Sequence, residues 1–279
     1  MSLEVQILLP ALVACLVLTS FLGYLGIHVL AREVIFVDIA LAQIAALGTA
    51  VAAYRDIEPH TSESYLWSLG FALVGAAVFA LTRSLRRRIP QEAFIGISYA
   101  MASALVVLVA NSLSHGDEEI KEILVGNLLT VTWEEVATTA AIFAVLGVVH
   151  FLLRKPFLTL SFDHNAAGQD DARAILWDLA FYATFAVVIT SSVQFAGVLL
   201  VFSFLIAPAV FSALFASRLW ARLLLGWGLG AGVSVVGLHL SFAHDLPTGA
   251  TVVVTFGAAL LVAALVRVGL NRRTSVTAG

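Results

Sequence analysis

Apolar residues run along this chain in long unbroken blocks, separated by short polar stretches that carry nearly all of the charge. Nine blocks stand out: Val5–Leu30, Val34–Tyr54, Tyr65–Thr82, Ala93–Ser114, Val136–Leu153, Leu179–Val193, Phe195–Ala216, Leu223–Phe242 and Thr248–Val266. Most are close to the roughly 20 residues a helix needs to cross a bilayer. The pattern predicts an all-α polytopic membrane protein of about nine transmembrane helices. The uncharged run from Leu179 to Ser217, 39 residues, is too long for one helix. Ser191–Ser192–Val193–Gln194 is the expected break, and eight spans plus a broken or re-entrant segment is the alternative.

Composition sharpens this picture. The 279 residues are 61% hydrophobic and 12% charged, about half the charge of a soluble domain. Residues 1–279 therefore read as one transmembrane domain. The N-terminus MSLEVQ has no basic region ahead of its apolar block, so the first span is expected to be retained. The one cysteine, Cys15, can form no disulfide within the chain.

Lys and Arg predict the orientation. With the N-terminus outside, the cytoplasmic segments hold Arg32; Arg83, Arg86, Arg87 and Arg88; Arg154, Lys155 and Arg173; Arg218 and Arg222; and Arg267, Arg272 and Arg273. These are 13 of the 15 basic residues, and only Arg55 and Lys121 fall outside. The C-terminus is then cytoplasmic. The external loops are acidic, with Asp56, Glu58 and Glu63 in one and Asp117, Glu118, Glu119 and Glu122 in another. Such loops attract cations or simply present a solvated face.

Two polar residues interrupt the second block. Read as one helix from Arg32, the chain puts Asp38 about 9 Å deeper in the membrane. A carboxylate there is costly unless partnered, so Asp38 is a candidate for function; pairing with Arg32 at a helix end is the other reading. Gln43 follows near the middle of the span, either in a pathway or as a hydrogen-bonding link between helices. The eighth block carries the pairs Gly226/Gly230 and Gly228/Gly232, which permit close contact within the chain or between copies. It also carries His239 and ends at His244–Asp245, a pair able to handle a metal or to be solvated. The loop Arg154–Asp178 is the longest inside. Pro156 is expected to stop the helix before it, and Asp163 to cap a short helix through Asn165, Ala166 and Ala167. The segment is a docking surface or an ordinary connector.

Some chemistries are missing. Neither lysine, Lys121 or Lys155, follows a glycine, so no Walker A loop is present. The HExxH and GxSxG patterns are absent too, and no clear internal repeat is visible.

Six stretches together resemble the permease of ABC-type importers for zinc, manganese or iron. They are Gly26–Val29 with Arg32 and Ala40–Gly48; Ile95–Ile97; Leu124–Thr132, similar to a Gly-Asn/Asp-Leu-Leu segment; Phe162–Asp163 with Ala166–Ala167, similar to a cytoplasmic coupling loop; Gly197–Leu200 through Leu205–Ala209; and Asp245–Gly249, similar to an Asp-x-Pro-x-Gly turn. They span almost the whole chain. The resemblance implies a single permease domain in the cytoplasmic (inner) membrane, in contact with lipid and with no nucleic-acid partner. It implies a homodimer, a pair of cytoplasmic ATPases and an extracytoplasmic metal-binding protein. The chain would not itself be an enzyme. No tightly bound cofactor is expected, the divalent metal being the transported substrate.

One departure matters. The family's Asp-x-Leu-Ala-His places Gln43 where the histidine belongs, and Asp38 one residue earlier than the aspartate. Asp38 and Gln43 are five apart, about 140° around a helix, and an amide is a poorer ligand than imidazole. Weak coordination still permits conduction. The candidate metal residues are Asp38, Gln43, His239, His244 and Asp245; the candidate coupling residues are Phe162, Asp163, Ala166 and Ala167. The alternatives are a proton-coupled secondary transporter using Asp38, or an intramembrane enzyme with a second polar group facing it.

Overall fold

The computed structural model describes residues 3–58, 61–85, 89–112, 126, 128–163 and 172–276. Ten α-helices account for most of them: α1 (Leu3–Ala31), α2 (Val37–Tyr54), α3 (Ser62–Leu81), α4 (Gln91–Ala110), α5 (Trp133–Leu152), α6 (Arg154–Phe162), α7 (Ala172–Ala196), α8 (Val198–Phe215), α9 (Leu219–His244) and α10 (Thr248–Val276). No strand is present among the described residues. All but α6 are long and apolar enough to span a membrane, which gives the nine spans the apolar blocks predict.

Local signals start two of the helices. Thr61 accepts the Ser64 amide at the head of α3, and Thr132 and Glu135 form a reciprocal capping box at the head of α5. Helix α2 lies deepest, with 67% of its span buried, followed by α1, α7 and α8 at 56%; α4, α5 and α10, at 22%, form the outer ring. Helix α2 packs on α3 and α4, α3 on α7, and α1 on α8 and α9. Small residues let α2 and α3 approach: a Cβ on Gly48 would stand 2.7 Å from the Trp67 carbonyl oxygen, and the Ser68 hydroxyl donates to the Ala45 carbonyl at 2.9 Å.

Three boundaries differ from the expectation. The long uncharged run breaks at Gly197 and not at Ser191–Gln194. Gly197 takes φ 74°, and Gly126, at φ 66°, lies so close that a Cβ on it would stand 2.3 Å from the Ala196 carbonyl carbon. Ser191 and Ser192 stay helical because one pairs with Tyr65 and the other donates to the Val188 carbonyl. Pro156 does not end α5, which stops at Leu152; it sits in the first turn of α6, where its missing N–H costs no helical bond. The stretch Arg154–Asp178 is not all loop: α6 occupies its start, and α7 begins at Ala172, so Asp178 lies inside a spanning helix.

One end of the bundle gathers Arg32, Arg83 and Arg154 with the last turn of α5; the other gathers the heads of α3 and α5 and the tail of α7. We call these the basic end and the far end. The arginines at 86–88, the acidic loop 117–122 and the residues Leu124, Val125 and Asn127 lie outside the described residues.

Candidate functional site

Asp38 occupies a position the apolar pattern could not foresee. Helix α1 ends at Ala31, and the chain turns through residues 32–36 with Glu33 at φ 57° before α2 begins at Val37. Arg32 and Asp38 are therefore not on one helix, and the 9 Å spacing does not hold. Asp38 sits in the first turn of α2, 1% exposed; neither carboxylate oxygen meets a side-chain partner or a well-aligned hydrogen bond among the described residues, and only the Asp38 and Ile39 amides at the helix head lie close to it. It makes no salt bridge with Arg32, which is engaged elsewhere. The positive end of α2 favours an anion at this point. Glu92, in the first turn of α4, is near enough for its charge to act on Asp38. Its Oε1 accepts the Phe36 amide at 3.1 Å, and its Oε2 has no partner. Glu92 is thereby tied to the main chain two residues before Asp38. Gln43 is 5% exposed and makes no hydrogen bond among the described residues.

The other candidate ligands lie elsewhere. The start of α9 borders the basic end, beside Tyr24 and Arg154, so His244 is about 38 Å further along at 1.5 Å per residue. His239, His244 and Asp245 are all exposed. The His244 Nδ1 contacts the Leu240 carbonyl at 3.2 Å. Asp245 is the left-handed cap of α9, and Ser241 holds the turn by donating to the Leu246 carbonyl at 2.7 Å, with Thr248 Oγ1 at 2.8 Å. The structure does not bring these three to Asp38. No three His, Cys, Asp or Glu side chains among the described residues converge to hold a metal ion. Of the glycine pairs, Gly226 and Gly230 face Pro208 and Thr19 within the chain, while Gly228 and Gly232 meet nothing within 4 Å.

At the basic end a buried polar network joins five segments. The Asp178 Oδ1 accepts from Arg32 Nη1 at 2.8 Å, and its Oδ2 pairs with Arg83, which follows α3 in a 3-10 turn over Thr82–Leu85. Arg32 Nε donates to Ser161 Oγ on α6 at 2.8 Å, and its guanidinium lies 3.8 Å from the centre of the Phe181 ring. Ser161 donates to the Phe157 carbonyl at 2.8 Å, so His28 Nδ1, 2.8 Å from the same oxygen, carries the hydrogen. A second layer follows: His150 Nε2 donates to Thr184 Oγ1 at 2.9 Å, since Thr184 itself donates to the Phe181 carbonyl.

The candidate coupling residues continue from this network. Helix α6 buries Phe157, Leu160 and Ser161 against the bundle. Phe162 is 42% exposed, its ring 5.8 Å from that of His28. Asp163 is the exposed C-cap of α6. Ala166 and Ala167 lie outside the described residues, as does the short helix expected there.

A cavity of about 640 Å3 opens at the far end, lined among others by Tyr65, Glu134, Glu135, Ser191 and Gln194. Glu135 is tied into its capping box, whereas Glu134 is exposed.

Reasoning from sequence missed Asp178, Ser161 and the histidine pair. Asp178 counted as loop because a charge ends an apolar run. The available signal was His28 and Arg32, four apart and so on one helix face, but their partners lie more than 120 residues away.

Several known proteins are similar to this chain. The manganese import system permease protein ScaB of Streptococcus parasanguinis is 27% identical over 224 residues, 78% of this chain and 79% of that protein. The chelated iron transport system membrane protein YfeC of Yersinia pestis is 27% identical over 210 residues, 72% and 70% of the two chains. Among solved structures, PsaBC from Streptococcus pneumoniae in complex with Fab has the same fold, with a TM-score of 0.73 and 21% identity over 91% of this chain and 90% of that one. Residues 4–267 match the ABC 3 transport family, and with its nine spanning helices running through almost all of that length the chain belongs to this family.

Proposed function

We propose that this chain is the membrane-spanning subunit of an ABC importer that moves a divalent metal ion into the cytoplasm. ATP is hydrolysed in a separate pair of ATPase subunits, an extracytoplasmic binding protein delivers the ion, and two copies of the permease form the pathway. The basic end faces the cytoplasm, as the Lys and Arg distribution predicts. The single transmembrane domain lies in the inner membrane and binds its metal only in transit.

The observation that carries this reading is Asp38. A carboxylate 1% exposed with no side-chain partner on either oxygen costs several kcal/mol in apolar surroundings, on the order of a buried unpaired charge. A passing cation offsets that cost, and Glu92, bonded to the Phe36 amide two residues before Asp38, is the nearest further carboxylate that the α4 head presents to this turn. The named relatives import manganese and chelated iron, which supports a transition-metal cargo. Gln43 supplies only an amide, so the ion is held weakly and released readily. The cavity at the far end is the entrance, and Asp245 serves the α9–α10 turn.

Uptake of manganese(II), zinc(II) and iron(II) into vesicles carrying the permease and its ATPase, read by elemental analysis, tests this. Wild type should accumulate one of these metals with ATP. Asp38→Asn should abolish accumulation while the permease still assembles. Accumulation driven by a proton gradient without the ATPase would replace this reading with a secondary transporter.

A further inference from the structure

Two anchored stems stand at the basic end, the end of α6 at Phe162 and the start of α7 at Ala172. Ser161 closes the first stem at the end of α6, and Asp178 sits six residues into α7 on the second. One side chain holds both: Arg32 donates from Nε to Ser161 Oγ and from Nη1 to Asp178 Oδ1, each at 2.8 Å. Its plane lies over Phe181 on α7, which restricts how the guanidinium can tilt. Arg32 is also the first residue of the turn 32–36, and Asp38 follows two residues after that turn. The same turn is tied to α4 through the Phe36 amide and Glu92.

We infer that Arg32, Ser161 and Asp178 form a relay connecting the end of α6 and the head of α7 to Asp38. This rests on the importer reading above. The geometry gives the relay a defined mechanics. A push on these two stems moves α6 and the head of α7 against each other. Ser161 and Asp178 approach Arg32 from different edges of one guanidinium, so their relative movement must rotate or displace it. The rotation passes along the main chain of residues 32–36 into the first turn of α2. Asp38 then shifts relative to Glu92, whose link to Phe36 makes that end of α4 the reference point. His28 keeps Ser161 in register, since it donates to the same oxygen from one helical turn earlier on α1. Arg83 neutralises Asp178 from the end of α3 and so keeps the pivot buried. Arg32, Ser161 and Asp178 are positioning residues in this scheme: they touch neither metal nor nucleotide.

The test uses the permease with its ATPase in liposomes and counts manganese(II) ions moved per ATP hydrolysed. Ser161→Ala cuts only the α6 link and leaves the Arg32–Asp178 pair. Arg32→Lys keeps the charge but cannot reach both partners at once. Each should lower the ratio about ten-fold, within the range of a coupling free energy between two sites, while the ATPase stays bound. Ser161→Thr keeps the hydroxyl and should restore the ratio. An unchanged ratio in Ser161→Ala overturns the relay. So does loss of ATPase binding in step with the loss of transport, which makes the network a support for docking. Failure of both Ser161→Ala and Arg32→Lys to fold also overturns it, leaving a structural staple. Wild type that neither binds an ATPase nor moves metal removes the importer reading itself, and is told apart by failing before any variant is compared.

Discussion

Asp178 and Asp38 are each 1% exposed, each near the head of a spanning helix, and each at the basic end. Asp178 has an arginine on each oxygen. Asp38 has no side-chain partner on either. The first arrangement meets the desolvation cost of the charge inside the chain, and removing it would take the acidic partner from two buried arginines. The second offers no side-chain partner, only the helix head, so Asp38 meets less of its desolvation cost inside the chain than Asp178 does. Depth and residue type are equal; the difference between a structural carboxylate and one held open for a cation lies in what the neighbouring helices present.

The comparison breaks most easily on stability. Asp178→Ala should lower unfolding stability by about 3–5 kcal/mol, the cost of breaking a buried pair, measured by thermal unfolding in detergent. Asp38→Asn should melt at or near the wild-type temperature, because it replaces a buried carboxyl that lacks a side-chain partner with an amide of nearly the same shape. A drop in Asp38→Asn equal to that of Asp178→Ala would make Asp38 structural as well.

The next effect is at the surface beside the network. Phe162 is an exposed aromatic on a helix whose other face is anchored, so Phe162→Ala should weaken ATPase association by about 2 kcal/mol, on the scale of an interface hot spot. Asp163→Ala should cost about 1 kcal/mol if its side chain caps the segment that follows. Co-purification of the ATPase with each variant measures both, and unchanged association in Phe162→Ala would move docking to residues 83–91.

The smallest effect on the fold is expected near the unmet carboxylate. Gln43 is buried but makes no hydrogen bond among the described residues, so Gln43→His should cost about 1 kcal/mol or less while changing which metal is preferred. An identical uptake profile across manganese, zinc and iron would place Gln43 away from the path.

Much of the fold was legible because spanning length is a local property. About 20 apolar residues announce a helix wherever they occur, and all nine spans followed from this. The boundaries failed where a local rule met a distant partner. Asp178 looked like the end of a loop, yet Arg32 and Arg83 neutralise it inside α7. Ser191–Gln194 looked like a break, yet Tyr65 and the Val188 carbonyl satisfy its two serines, and the chain bends at Gly197 where the backbone needs φ 74°. For the site, Asp38 and Phe162 were visible as chemistry out of place, an acid in an apolar block and an aromatic in a polar stretch.

The sequence by itself determined that this chain carries nine blocks long and apolar enough to cross a membrane, that most of its basic residues fall in alternate connections between them, and that a carboxylate interrupts the second block. Each follows from the cost of placing charge or bare backbone in hydrocarbon, a cost set residue by residue. Only the tertiary structure decided that Arg32 serves Asp178 and not Asp38, that His239, His244 and Asp245 stay far from Asp38, and that Ser161 joins the network at all. Hydrogen bonds and ion pairs act over about 3 Å, so they depend on which helices meet, and residues 32, 83, 161 and 178 come within that range only once α1, α3, α6 and α7 have packed.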